Sequence, residues 1–150
     1  MSVAIALHVL GAIVWIGGMF FALVVLRPAA VNLDLPDRVQ LWGRVFAGFF
    51  PWVWVAITVF VISGYWMVFR GSGGFAGLPL HVHLMQGIGW LMILVYLHLW
   101  FAPYKRLREA ISARVFPDAA KQLNHIRILI TINLFLGLIN AVIGASGKYW

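Results

Sequence analysis

The chain has 150 residues, of which 63% are hydrophobic and 10% charged, and its formal net charge is +7. A soluble domain carries about a quarter charged residues, so this composition excludes a soluble enzyme and a disordered chain. Cysteine is absent, which excludes disulfides, thiolate metal sites, iron–sulfur clusters and covalent c-type haem.

Hydrophobic spans of ~20 residues are long enough to cross a bilayer, and four are predicted. The first runs from about Val3 to Leu26 and ends at Arg27-Pro28. It lacks the basic start and the small-residue cleavage site of a signal peptide. Asp37 opens a short interfacial helix with Val39, Trp42, Val45 and Phe46 on its apolar side. The second span covers about Phe46 to Phe69, before a glycine-rich turn at residues 70–77. The third runs from about Leu80 to Ala102 and stops at Pro103. A basic segment follows, with Pro117-Asp118 as a new helix start, and the fourth span covers about Ile126 to Ala145. Lys148, Tyr149 and Trp150 read as an interfacial tail. The expected fold is an all-α, integral membrane four-helix bundle forming one domain over residues 1–150.

Nine of the eleven lysines and arginines lie in the connections between spans one and two or three and four. Only Arg70 and Lys148 lie on the other side. The positive-inside rule therefore predicts both termini outside and the basic connections in the cytoplasm, as in a bacterial inner (cytoplasmic) membrane. Contact with anionic lipid explains these charges, and no nucleic-acid partner is needed.

That orientation sorts the histidines by depth. His8 lies near the outer face with His83 or His81, whereas His98 and His125 lie near the inner face. His83 and His98 are fifteen residues apart, a rise of roughly 22 Å and an angular difference of about 60°. One helix could thus offer a ligand to each of two haems, with His83 preferred to His81. Imidazole is a good haem-iron ligand, and a porphyrin can lie between helices that each offer one. His8, Gly11, Trp15, Gly18 and Ala22 share one face, where Gly11 leaves room for a macrocycle and Trp15 walls it. His83, Gly87 and Trp90 are expected to repeat this on span three, and Asn133, Gly137, Asn140 and Gly144 form a polar-small stripe on span four. Arg127, Arg27 and Arg44 are placed to meet haem propionates.

The segment from Ala6 to Ala30, with Leu7-His8 and Trp15-Ile16-Gly17-Gly18, resembles the first helix of CopD-type copper-resistance membrane proteins and HemJ-type protoporphyrinogen oxidases. Leu80-His81-Val82-His83-Leu84 and Tyr96-Leu97-His98 resemble the third helix of that superfamily, and Asn124-His125 its entry to the last. The resemblance implies a copper-linked membrane protein or a porphyrinogen oxidase. His83 stands where the oxidases carry lysine and His125 where they carry glutamate, which counts against porphyrinogen oxidation.

The leading expectation is a b-type cytochrome with one or two haems, two preferred: His8 with His83 and His98 with His125. It would act as an oxidoreductase, passing electrons across the membrane between a quinone or quinol and a periplasmic redox partner. Gln86, Ser63, Asn133 and Asn140 are the candidate quinone contacts. The alternative is copper transport or handling, with His81 and His83 as outer ligands near Met85. Against copper, the methionines form no spaced ladder along the spans.

Overall fold

The computed structural model describes residues 1–71 and 73–149, with the side chain of Lys148 also left out. The expected tail residue Trp150 therefore lies outside the described residues. Four helices are long and apolar enough to cross a membrane: α1 (Ser2–Ala29), α2 (Leu35–Gly71), α3 (Leu80–Ser112) and α4 (Phe116–Ser146). No strand occurs among the described residues. The protein is an all-helical membrane protein, and its lipid-facing surface shows it: Ile13, Phe20, Trp52, Ile62, Leu94, Phe101, Phe135 and Val142 are all exposed. In water that surface would be untenable, whereas lipid tails are as apolar as these side chains.

Two helices contain wider, π-type turns, at Phe21–Leu26 and Trp100–Tyr104. Each stands at or just before a proline, Pro28 or Pro103. A proline has no N–H to give and its ring crowds the carbonyl four residues back. A local π turn absorbs that conflict without ending the helix. Thus α3 continues through Pro103 into an amphipathic end, Lys105–Ser112, where the sequence predicted a stop. Likewise, the expected interfacial helix is not separate. It is the first part of α2, which runs unbroken for 37 residues. That is about 55 Å of helix, more than a ~30 Å hydrocarbon core needs, so the surplus extends the helix beyond the lipid.

The expected start at Pro117 is correct, with Val115 as the N-cap and proline in the first turn, where a missing N–H costs nothing. The turn before it is a Schellman closure: Arg114 N–H bonds to the Ile111 carbonyl and Val115 N–H to the Ala110 carbonyl. Arg114 holds the left-handed position at φ 56°. In the other connection Gly73 and Gly74 adopt φ 69° and 116°, which only glycine does freely.

α1 packs mainly along α2 and α3 along α4, and α4 also touches α1 and α2. The centre is aromatic. Phe46 and Phe50 stack at 4.9 Å, Tyr96 and Tyr104 meet Phe50 edge-on, and the Tyr96 hydroxyl donates to the Phe50 carbonyl at 3.0 Å. At the basic end, Val39, Leu107, Ala119 and Ile126 are fully buried and tie the ends of α2, α3 and α4 together.

A histidine–methionine cavity

A cavity of about 400 Å³ opens between all four helices at the end that carries the two termini. The α1 stripe turns inward, with Gly11, Trp15 and Ala22 buried and His8 half-buried, but only His8 and Trp15 of it line the cavity, beside Ala12 and Ile16. Gly11 and Gly18 bring α1 against α2. A Cβ on Gly11 would touch Phe60, and one on Gly18 would collide with the Phe49 ring. The α4 stripe also turns inward as expected. Asn133 and Gly137 are buried, and Gly137 and Asn140 line the cavity.

His8 is held by two contacts. Its ring meets Phe60 edge-on at 4.7 Å, and its Nδ1 lies 2.9 Å from Ser63 Oγ. The single hydroxyl hydrogen of Ser63 is already given to the Val59 carbonyl one turn back. With its hydrogen there, Ser63 Oγ accepts from His8, and the ring proton then sits on Nδ1. The other nitrogen, Nε2, keeps its lone pair, as a metal-binding imidazole requires.

Around His8 the cavity gathers Met1, Met67, Met85 and Met92, four of the five methionines in the chain. Counted in helical rise from the mouth, Met67 and Met85 lie roughly 6–8 Å down, His8 about 10 Å and Met92 about 18 Å. Trp15 stands at the inner end. Asn140 gives its amide N–H to the Met85 carbonyl at 3.4 Å, but its own oxygen is buried with no hydrogen-bond partner among the described residues. Trp90 and Tyr65 complete one side, the indole N–H donating to the tyrosine oxygen at 3.3 Å.

The other nominated ligands are not brought here. His83, His98 and His125 are exposed. The inward face of α3 is Val82, Met85, Gly89, Met92 and Tyr96. Relative to Val82, His83 is turned about 100° round the helix and His98 about 160°. His83 and His98 lie about 60° apart on the helix, but their shared face looks away from the bundle, as does Gly87, whereas Trp90 on the same stripe reaches Tyr65 and lines the cavity. His81 instead rests against Gly147 beyond the end of α4. Within one chain the expected His8–His83 and His98–His125 pairs across the bundle interior do not form. Of the candidate quinone contacts, Ser63 is engaged with His8, Gln86 and Asn140 line the cavity, and Asn133 donates to the Met92 carbonyl at 3.1 Å. Arg127 and Arg27 lie together at the opposite, basic end, while Arg44 is exposed outside that group.

No group of three histidine or carboxylate side chains that could hold a metal occurs among the described residues. The donor atoms available in this cavity belong to methionine thioethers, an imidazole and an amide oxygen. The methionines form no ladder along any one span, as expected, but Met1, Met67, Met85 and Met92, from the N-terminus, α2 and α3, line one cavity.

No curated protein and no solved structure matches the chain. A family model described as copper resistance protein D matches residues 43–146, well over half of the 150 residues. The chain therefore belongs to the copper resistance protein D (CopD) family of membrane proteins.

Proposed function

We propose that this protein handles copper at the membrane by taking the monovalent ion into the histidine–methionine cavity. The observation that carries the reading is His8, held through Nδ1 by Ser63, in the wall of a cavity lined by four methionines. Thioether sulfur and imidazole are soft or borderline donors suited to Cu(I). Copper is the cargo in this reading, and the graded depths of Met1, Met67, Met85, His8 and Met92 offer it successive donors from the mouth inward. The unpartnered Asn140 oxygen would complete the polar surroundings of a bound cation. By the positive-inside argument the mouth faces the periplasm, so copper would be captured from outside a bacterial cytoplasmic membrane.

The b-type haem reading, with its quinone and periplasmic redox partners, has less support, because only His8 of the four proposed ligands enters the cavity. Porphyrinogen oxidation has no basic residue at His83 to support it.

The test is Cu(I) binding by the purified protein in detergent, measured by competition with a chromophoric Cu(I) chelator. We expect one ion per chain, weakened at least about tenfold in His8→Ala and less in Met85→Leu, since one of several soft donors remains replaceable. Copper binding unchanged in both variants would refute the site. A bis-histidine haem spectrum in the dithionite-reduced protein would restore the cytochrome reading.

A further inference from the structure

A second cavity, of about 290 Å³, lies at the basic end. Arg27 at the end of α1, Arg38 near the start of α2 and Arg127 on α4 all line it, together with Asn124. Three helices thus bring three guanidinium groups to one hollow. None of the three forms an ion pair among the described residues, where the pairs are Lys105–Glu109 and Lys121–Asp118. The nearest acids in sequence, Asp34 and Asp37, are exposed and do not line the cavity. Arg38 gives one N–H to the Val31 carbonyl at 3.3 Å, and among the described residues these three side chains donate no other hydrogen bond.

Each guanidinium presents five N–H donors in a planar fork that suits phosphate oxygens. Like charges gathered in a hollow repel one another unless an anion joins them. The rest of the wall is apolar and includes Leu23, Phe46 and Ile130. Leu23 belongs to the π-type turn of α1. Arg27 follows directly on the apolar run of α1, and Arg127 stands where that of α4 begins, so the cavity spans the boundary between hydrocarbon and headgroups.

We propose that this cavity is a phosphate-binding site, with the three arginines on the phosphate. A lipid headgroup and a soluble phosphate share that chemistry. The apolar wall favours the phosphodiester of an anionic phospholipid, its acyl stem lying along Leu23 and Ile130. The site is independent of the copper cavity at the other end of the bundle.

The experiment is native mass spectrometry of delipidated protein in a non-ionic detergent. It is titrated separately with phosphatidylglycerol, phosphatidylcholine and inorganic phosphate. Wild-type protein should hold one phosphatidylglycerol in clear preference to phosphatidylcholine. Arg27→Gln with Arg127→Gln should weaken phosphatidylglycerol roughly twenty-five-fold, taking the two arginines at about fivefold each. Arg44→Gln with Arg106→Gln removes two exposed charges from the same end, outside the cavity, and should leave the tight site in place. Equal wild-type binding of the two lipids without binding of inorganic phosphate overturns the proposal, with no variant required. So does an equal loss in the control pair. Binding of inorganic phosphate without phosphatidylglycerol would uphold a phosphate site and overturn its lipid occupancy.

Discussion

Ser63→Ala tests the copper reading without touching a ligand. Ser63 is 4% exposed and lies 2.9 Å from His8 Nδ1, and with its own hydrogen on the Val59 carbonyl its oxygen accepts the His8 proton there. Alanine removes that acceptor and leaves a half-buried ring N–H unpaired, which costs about 1–3 kcal/mol if the ring stays in place. The ring can avoid this penalty by moving its proton to Nε2 or by rotating. Either response removes the lone pair from the cavity. Loss of a group that orients a metal-binding histidine typically weakens metal affinity about 10–100-fold, or roughly 1.4–2.8 kcal/mol. The Val59 carbonyl loses an extra donor but remains within the helix, so the effect on folding should be near 1 kcal/mol. The assay is the same Cu(I) competition, run beside thermal unfolding in detergent. The expected pattern is a Cu(I) affinity between wild type and His8→Ala with a small change in Tm. Wild-type affinity in Ser63→Ala would refute the tautomer argument. In a Ser63→Ala/His8→Ala double variant the two losses should not add, because both act through the same nitrogen.

Two further substitutions examine the scaffold. Arg114→Gly should stabilise the protein by about 1 kcal/mol, since glycine takes the left-handed position of the Schellman turn without the penalty arginine meets; a fall in Tm would contradict this account. Gly137→Val places a Cβ 2.9 Å from Ile16 Cγ1 and 3.1 Å from Met92 Cε. It should cost about 1–3 kcal/mol by overpacking and should weaken Cu(I) binding by displacing Met92, whereas Gly17→Ala, with nothing within 4 Å, should do neither.

The placement of the arginines bears on both readings. Three guanidiniums at the basic end make a positive barrier on the far side of the bundle from the methionines. On the copper reading proposed above, a cation taken in at the methionine end would meet repulsion at the other, which favours capture and hand-over on one side over simple conduction through the bundle.

Much of the architecture was legible in the residues. Apolar run length gave four spans, and Pro117-Asp118 marked the start of the fourth helix. The stripes Gly11–Trp15–Ala22 and Asn133–Gly137–Asn140 pointed inward for a local reason: small or polar residues on an apolar helix are of little use against lipid. Prolines misled where π turns absorbed them, at Pro103 above all. The His83–Gly87–Trp90 stripe had the same spacing as the one on α1, yet His83 and Gly87 turned outward and only Trp90 reached the cavity.

By itself, then, the sequence determined a membrane protein of four helices, the uneven distribution of its charge, and His8 on an inward face of the first helix. Only the tertiary structure decided which face of α3 looks inward, and hence that His83 and His98 leave the site while Met85 and Met92 enter it. In water, the contrast between apolar and polar faces rotates a helix unambiguously. In lipid both faces are apolar, and the rotation is set by close packing against neighbours, such as Met92 and Ile16 around Gly137. The same reason hid the two sites. Met1, Met67 and Met85, like Arg27, Arg38 and Arg127, come from different parts of the chain, and no periodicity within one helix encodes their meeting.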